Sequence, residues 1–308
     1  MKIIFMGTPE FACGILQSLI DEDYNVVAVV SQPDKKIGRK QILKNTPVKS
    51  LALKYGIPVI QPIRIRNEYE EILSYKPDLI ITCAYGQILP KELLDTPKYG
   101  CINVHASLLP KYRGGAPIHW SIINGEEKTG VTIMKMVEKM DAGCMYLQES
   151  IDINEADTTE ILHDKLKELG SNLIIKFIPL FKEGKLECVE QDESKVTFGF
   201  NISKEDEFVG FKERNVRDIY NHIRGLISWP VGYGIIENKR VKFHEVKMEY
   251  KDHNYKNGQI IDFNDGMKIA CNGGYIYVMM LQMEGKSKIT FREFNNGYGK
   301  MLINKCFK

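Results

Sequence analysis

Ile3-Ile4-Phe5-Met6-Gly7-Thr8-Pro9, followed by Val26-Val27-Ala28-Val29-Val30, decides the fold class. Ile3 to Met6 are apolar behind a single lysine, and Gly7-Thr8-Pro9 breaks the run. Thr8 suits a helix N-cap and Pro9 the first helical position. Phe11, Ala12, Ile15, Leu16 and Leu19 then recur at helical spacing. Val26 to Val30 is apolar throughout, as a strand covered on both faces must be. Strand, helix and strand in that order predict an α/β fold with a Rossmann-like, parallel-rich sheet. The opening apolar run is too short for a signal peptide core. Only one glycine stands where Gly-x-Gly-x-x-Gly is wanted, so a nicotinamide cofactor is discounted.

Working outward, 308 residues suggest about two domains. No apolar run approaches the ~20 residues that cross a bilayer, and the expectation is a cytoplasmic protein with no membrane partner. The seven cysteines are scattered at Cys13, Cys83, Cys101, Cys144, Cys188, Cys271 and Cys306. The number is odd and no Cys-x-x-Cys occurs, which reads as reduced thiols, with neither a disulfide framework nor a metal site.

Net charge is +2 but uneven. Val209 to Lys308 carries 17 Lys and Arg against ten Asp and Glu. Ser31 to Ser50 carries six basic residues against Asp34. Two basic regions on an otherwise acidic chain suit a polyanion partner; a solvated loop and a mildly basic domain account for the same counts. Ser31 to Thr46 has no clear period and reads as a long loop. Loops of that length inside compact domains tend to be functional or disordered. Its Lys35, Lys36, Arg39 and Lys40 are candidate phosphate contacts.

The chemistry concentrates in Gly100-Cys101-Ile102-Asn103-Val104-His105-Ala106-Ser107-Leu108-Leu109-Pro110. In a strand Asn103 and His105 share a face. An imidazole moves a proton near neutral pH, and an amide donates to a developing oxyanion. The pair wants a third group to orient the imidazole. Asp141, in Met140-Asp141-Ala142-Gly143, is the candidate, although Asp-x-Gly is also ordinary turn chemistry. Earlier, Asp78 to Thr82 reads as a strand running into Cys83-Ala84-Tyr85-Gly86-Gln87-Ile88-Leu89-Pro90. Ligands of open α/β sheets sit beyond the carboxyl ends of strands, where this loop and the one after His105 both fall.

Asn103-Val104-His105, Ser107-Leu108-Leu109-Pro110 and Arg113-Gly114-Gly115-Ala116-Pro117-Ile118 together resemble the folate-dependent formyltransferases. The resemblance covers nearly the whole chain and is strongest over residues 1 to about 150. It implies that Asn103, His105 and Asp141 are catalytic. It also implies that Tyr85, Gly86, Ile88, Ser107, Leu108, Leu109 and Pro110 meet the folate. Gln32-Pro33-Asp34 followed by Gly38-Arg39 is similar to the loop that members acting on tRNA lay against the acceptor arm. That makes Arg39 the first tRNA candidate, with Lys35, Lys36 and Lys40 behind it. The implied reaction moves a formyl group from 10-formyltetrahydrofolate to the α-amine of methionine on initiator tRNA. The family is usually monomeric.

Asp157-Thr158-Thr159-Glu160 resembles a capping box ahead of an amphipathic helix with Leu162, Leu166, Leu169, Leu173 and Phe177 on one side. Pro179 is expected to kink or shorten its end. Glu183 to Glu207 reads as an extended connection. Beyond it come one short helix, Val216 to Leu226, and several short strands between Gly234 and Leu281. Asn257-Gly258, Asp265-Gly266 and Gly273-Gly274 mark turns among them. Many short strands with a basic balance suggest a small β-barrel, and the resemblance implies an oligonucleotide-binding (OB-like) one. The expected organisation is a catalytic domain over 1–188, a linker over 189–207 and a tRNA-binding barrel over 208–308. A nucleotide-sugar N-formyltransferase is the nearest alternative, and a non-enzymatic RNA-binding protein the next.

Overall fold

The computed structural model of the chain describes residues 1–37 and 41–308. It divides into two compact units. One comprises residues 1–117, 128–152 and 163–200; the other comprises 118–127, 153–162 and 201–308.

The first unit is built on the opening strand and helix, β1 (Ile3–Gly7) and α1 (Glu10–Asp21), and on β2 (Val26–Val30). After these come β3 (Lys35–Ile37), β4 (Ile42–Lys44), α2 (Pro47–Lys54), β5 (Val59–Ile60) and α3 (Glu70–Ser74). Next are β6 (Leu79–Cys83), α4 (Lys91–Asp95), β7 (Cys101–His105), α5 (Pro117–Ile123), β8 (Lys128–Lys135), β9 (Met145–Asp152) and α6 (Thr159–Lys182). The sheet order is β5-β2-β1-β6-β7-β8-β9. Strands β5 to β7 are mutually parallel, and β8 and β9 extend the sheet antiparallel. This is the expected Rossmann-like, parallel-rich sheet. Its central strands are apolar because both faces are covered: every residue of β1 and β6 is buried.

The chain moves outward from β1 to β2 and β5, then returns past β1 to β6 and β7. The strand order therefore reverses between β1 and β6, and the crevice for a ligand opens beyond their carboxyl ends. Thr8, Gln32 and Tyr85 close the base of that crevice. Thr8 Oγ1 donates to the Tyr85 carbonyl at 3.1 Å, and Gln32 Nε2 donates to the same oxygen at 3.2 Å.

Four local expectations need correction. Ser31 to Thr46 is not a patternless loop: β3 and β4 form an antiparallel hairpin pairing Lys35 with Lys44 and Lys36 with Leu43. Its lysines obscure the period because both faces of this two-stranded sheet carry polar residues. The thiols are not all reduced: Cys144 and Cys188 form a disulfide with their Cα atoms 5.3 Å apart. Spacing concealed the pair because 44 residues separate them. Residues 189–200 of the expected linker belong to the first compact unit. Val189 bridges Met145 and Phe198 bridges Arg113. Helix α6 also runs three residues past Pro179, where the missing N–H falls in the final turn.

The second unit holds α7 (Val216–Arg224), β10 (Tyr233–Ile236), β11 (Lys239–Tyr250), β12 (Ile260–Asp262), β13 (Met267–Cys271), β14 (Gly274–Met283), β15 (Lys288–Thr290) and α8 (Phe291–Gly297). Asn215 caps α7 by accepting from the Asp218 N–H. The sheet is antiparallel, ordered β10-β11-β14-β13-β12, with β15 also on β14. Register shifts around Glu245 bend the long β11–β14 pair, which curls the sheet toward a small barrel. Phe211, Phe243 and Phe307 fill its interior with ring centroids 5.4 to 5.9 Å apart. Among the described residues no helix is long and apolar enough to cross a membrane.

Candidate active site

Strand β7 lies between parallel β6 and antiparallel β8, so its residues are fixed on both edges. Asn103 aligns with Thr82 on one side and Met134 on the other. Asn103 is half-buried and His105 buried. The Thr82 hydroxyl reaches Asn103 Oδ1 at 2.9 Å, which turns the amide NH₂ the other way, toward Asp141. Asn103 Nδ2 lies 3.4 Å from Asp141 Oδ1.

His105 is oriented by a backbone group. Its Nε2 lies 3.1 Å from the Tyr112 carbonyl. A carbonyl oxygen only accepts, so Nε2 carries the hydrogen. Nδ1 then faces Asp141, with Oδ2 at 3.8 Å. That separation is ion-pair range and too long for a direct hydrogen bond.

Asp141 sits in the turn between β8 and β9 with φ +48°. The turn closes tightly, because a Cβ on Gly143 would stand 1.9 Å from the Lys135 carbonyl oxygen. Only glycine fits there, which is why Asp-x-Gly occurs. Asp141 Oδ2 accepts the Gly114 backbone N–H at 2.8 Å. Behind the turn, Gln191 Nε2 donates to the Asp141 and Gly143 carbonyls, both at 2.8 Å. Gln191 is itself gripped by Arg113, whose Nε and Nη2 reach its Oε1 at 3.0 and 2.8 Å. Arg113 also donates to Glu193 at 2.8 Å, and with Lys139 behind it holds the Glu193 carboxyl below the usual range.

The three candidate catalytic residues thus meet around one point. Sequence reasoning missed the parts that hold them: Thr82, the Tyr112 carbonyl, Gly114 and the Arg113–Gln191 pair. Thr82 and Gly114 lie in stretches already singled out. Gln191 carried no signal, since it comes into place only through the fold.

The candidate folate residues flank the crevice unequally. The Tyr85 ring is buried among Ile4, Met6, Leu89 and Leu93, and burial pushes its hydroxyl up from the ordinary tyrosine range. Gly86 is exposed at φ +91°, and Ile88 is exposed. Ser107 is fully buried, its hydroxyl donating to the Lys111 carbonyl at 2.6 Å. Leu109 is buried, while Leu108 and Pro110 are half-buried. Leu109 is anchored through its N–H to Thr132 Oγ1 and through its carbonyl to Gln148 Nε2. Lys35 and Lys36 are exposed on the β3 strand; Arg39 and Lys40 lie outside the described residues. Among the described residues no group of three or more His, Cys, Asp or Glu is disposed to hold a metal ion.

The family model "Formyl transferase" matches residues 1–178, and "Formyl transferase, C-terminal domain" matches residues 201–299. The chain belongs to the formyl transferase family. Among its relatives is a methionyl-tRNA formyltransferase of Bacillus cytotoxicus, 48% identical over 96% of each chain. Two solved structures are similar at TM-scores of 0.69 and 0.66. The first is an N-formyltransferase from Helicobacter canadensis in complex with folinic acid and dTDP-3-aminofucose, at 20% identity over 92% of this chain and 99% of that one. The second is HypX from Aquifex aeolicus in complex with tetrahydrofolic acid, at 16% identity over 98% of this chain and 48% of that one. At those identities the likeness is one of fold.

Proposed function

We propose that this formyl transferase moves the formyl group of 10-formyltetrahydrofolate to the α-amine of methionine on initiator tRNA, with Asn103, His105 and Asp141 as its catalytic residues. The observation that carries the reading is the convergence of one amide donor, one imidazole with a fixed tautomer and one anchored carboxylate beside the sheet crevice. The 48% identity to a methionyl-tRNA formyltransferase over 96% of the chain supports tRNA as the acceptor.

The crevice suits the donor. A folate head is flat and apolar on its faces, with an amide-like edge. Exposed Ile88 and half-buried Leu108 offer apolar surface, and the exposed backbone at Ala84 and Gly86 offers hydrogen-bonding groups. The donor supplies a one-carbon amide whose oxygen takes up negative charge when an amine adds. Asn103 Nδ2 is the amide donor placed to meet that charge. Thr82 keeps the amide from turning its oxygen there instead. His105 Nδ1 is the ring atom that takes or gives a proton, because Nε2 is committed to Tyr112. Asp141 accepts from Gly114 and Asn103 and stays in place while its Oδ2 faces Nδ1. The attacking amine loses its proton toward this carboxylate–imidazole pair; the bond from the formyl carbon to N10 of the donor then breaks, and N10 takes up a proton as tetrahydrofolate leaves. The exposed lysines of the β3–β4 hairpin, with Arg39 and Lys40 beside them in sequence, are the proposed contacts to the tRNA phosphates.

Purified protein with 10-formyltetrahydrofolate, offered charged initiator Met-tRNA, charged elongator Met-tRNA and a dTDP-linked amino sugar, tests this. Formylation of the initiator alone is the expected result. Formylation of the sugar alone contradicts the acceptor and leaves the catalytic arrangement standing.

A further inference from the structure

We propose that the stacked rings of Phe198 and Phe200 form the platform on which the 3′-terminal nucleobase of the acceptor tRNA lies, an assignment that rests on the aminoacyl-tRNA reading above. The two rings are parallel to within 6° with centroids 5.1 Å apart. Phe198 is 50% and Phe200 58% exposed, so the stacked pair is open to solvent. Paired exposed aromatics beside a polar catalytic centre mark an interaction surface.

The pair is built into the backbone that holds the catalytic carboxylate. Phe198 bridges Arg113 in parallel register. Thr197 accepts the Arg113 N–H through its carbonyl and the Tyr112 N–H through its hydroxyl, both at 2.9 Å. Gly199, between the two rings, donates to the Arg113 carbonyl and accepts the Ala116 N–H, both at 2.8 Å. Gly114, whose N–H binds Asp141, lies so near that a Cβ on it would stand 2.8 Å from the Gly199 carbonyl oxygen. One rung of backbone therefore separates the aromatic surface from the residue that anchors Asp141.

The chemistry of the acceptor says what such a surface would meet. The reacting amine of an aminoacyl-tRNA is esterified to the ribose of its last nucleotide, which is unpaired. Delivering the amine to Asp141 brings that base with it. Unpaired bases stack on aromatic side chains with little regard to sequence, at a strength set by the π-face. A base platform acts on how the whole tRNA is held, whatever amino acid it carries.

The test is steady-state formylation by Phe198→Ala, Phe200→Ala, the double variant and Phe200→Trp, with initiator tRNA charged with methionine or with glutamine, and with folinic acid affinity measured in parallel. The expected result is a KM for tRNA raised about 10- to 100-fold in the double alanine variant. The factor should be the same for both amino acids, with kcat nearly unchanged, folinic acid affinity unchanged and near-normal behaviour in Phe200→Trp. A double variant with the wild-type KM overturns the platform while leaving the function intact. A loss confined to methionine-charged tRNA overturns it by assigning the rings to the amino-acid side chain. Loss of folinic acid binding overturns it by making the pair part of the fold. A wild-type protein that binds folinic acid yet formylates neither tRNA overturns the acceptor reading and the platform together.

Discussion

Asp141 takes the backbone N–H of Gly114 on Oδ2 at 2.8 Å and turns the same oxygen toward His105 Nδ1 at 3.8 Å. The carboxylate is held by main chain as well as by side chain, so its position depends on a glycine. Gly114 has φ +127°, and a Cβ there would meet the Gly199 carbonyl oxygen at 2.8 Å. Gly114→Ala is expected to shift the 113–116 segment and lower kcat about 10-fold or more, since strain of ~1–3 kcal/mol arises beside the site. Turnover measured with folinic acid binding as a control checks it.

Asn103→Ala should lower kcat by about 10²- to 10³-fold, the usual loss for one oxyanion donor. The melting temperature should hardly move, because the side chain is only half-buried. Comparable turnover in variant and wild type would remove Asn103 from the mechanism.

Thr82→Val keeps the volume but releases the Asn103 amide from its 2.9 Å partner. One hydrogen bond of ~1 kcal/mol corresponds to about a fivefold fall in kcat, with KM for the donor little changed. A kinetic split of this kind distinguishes orientation of Asn103 from a packing role for Thr82.

Much of this arrangement was legible in the chain. The apolar runs of β1, β2 and β6 announce the sheet because both of their faces are buried, and Asn103-x-His105 announces a shared strand face. The parts that were not legible depend on pairings over long sequence distances. Gln191 reaches the Asp141 carbonyl across 50 residues, and Cys144 reaches Cys188 across 44. The β3–β4 hairpin was hidden for another reason: Lys35, Lys36, Ile42, Leu43 and Lys44 are all exposed, so burial imposes no alternation on them.

The Cys144–Cys188 bond closes a 44-residue loop. On the chain-entropy account that constraint stabilises by ~4 kcal/mol, so a reductant, or the Cys144→Ser, Cys188→Ser double variant, should lower Tm by about 10 °C. Calorimetry with and without reductant measures it, and an unchanged Tm would show that the bond does not constrain the unfolded chain.

His222 gives the second unit a pH dependence. Burial, and after it the Arg214 charge, lower its pKa; the Asp206 carbonyl accepts from Nε2 at 2.7 Å and Arg214 faces Nδ1. The folded state therefore keeps the ring neutral, while the unfolded chain takes up a proton near pH ~6.5. Stability is full above that value and falls as pH drops from there toward the lowered folded pKa. Melting curves from pH 7.5 to 5 should show this decline, and His222→Gln should flatten it.

The central claim is best tested by single-turnover formylation of initiator Met-tRNA, comparing wild type with Asp141→Asn, a change that preserves shape and removes charge. The account predicts formylmethionyl-tRNA from the wild type and a rate at least about 10²-fold lower in the variant, with equal folinic acid affinity in both. A variant rate within a few-fold of wild type would contradict it.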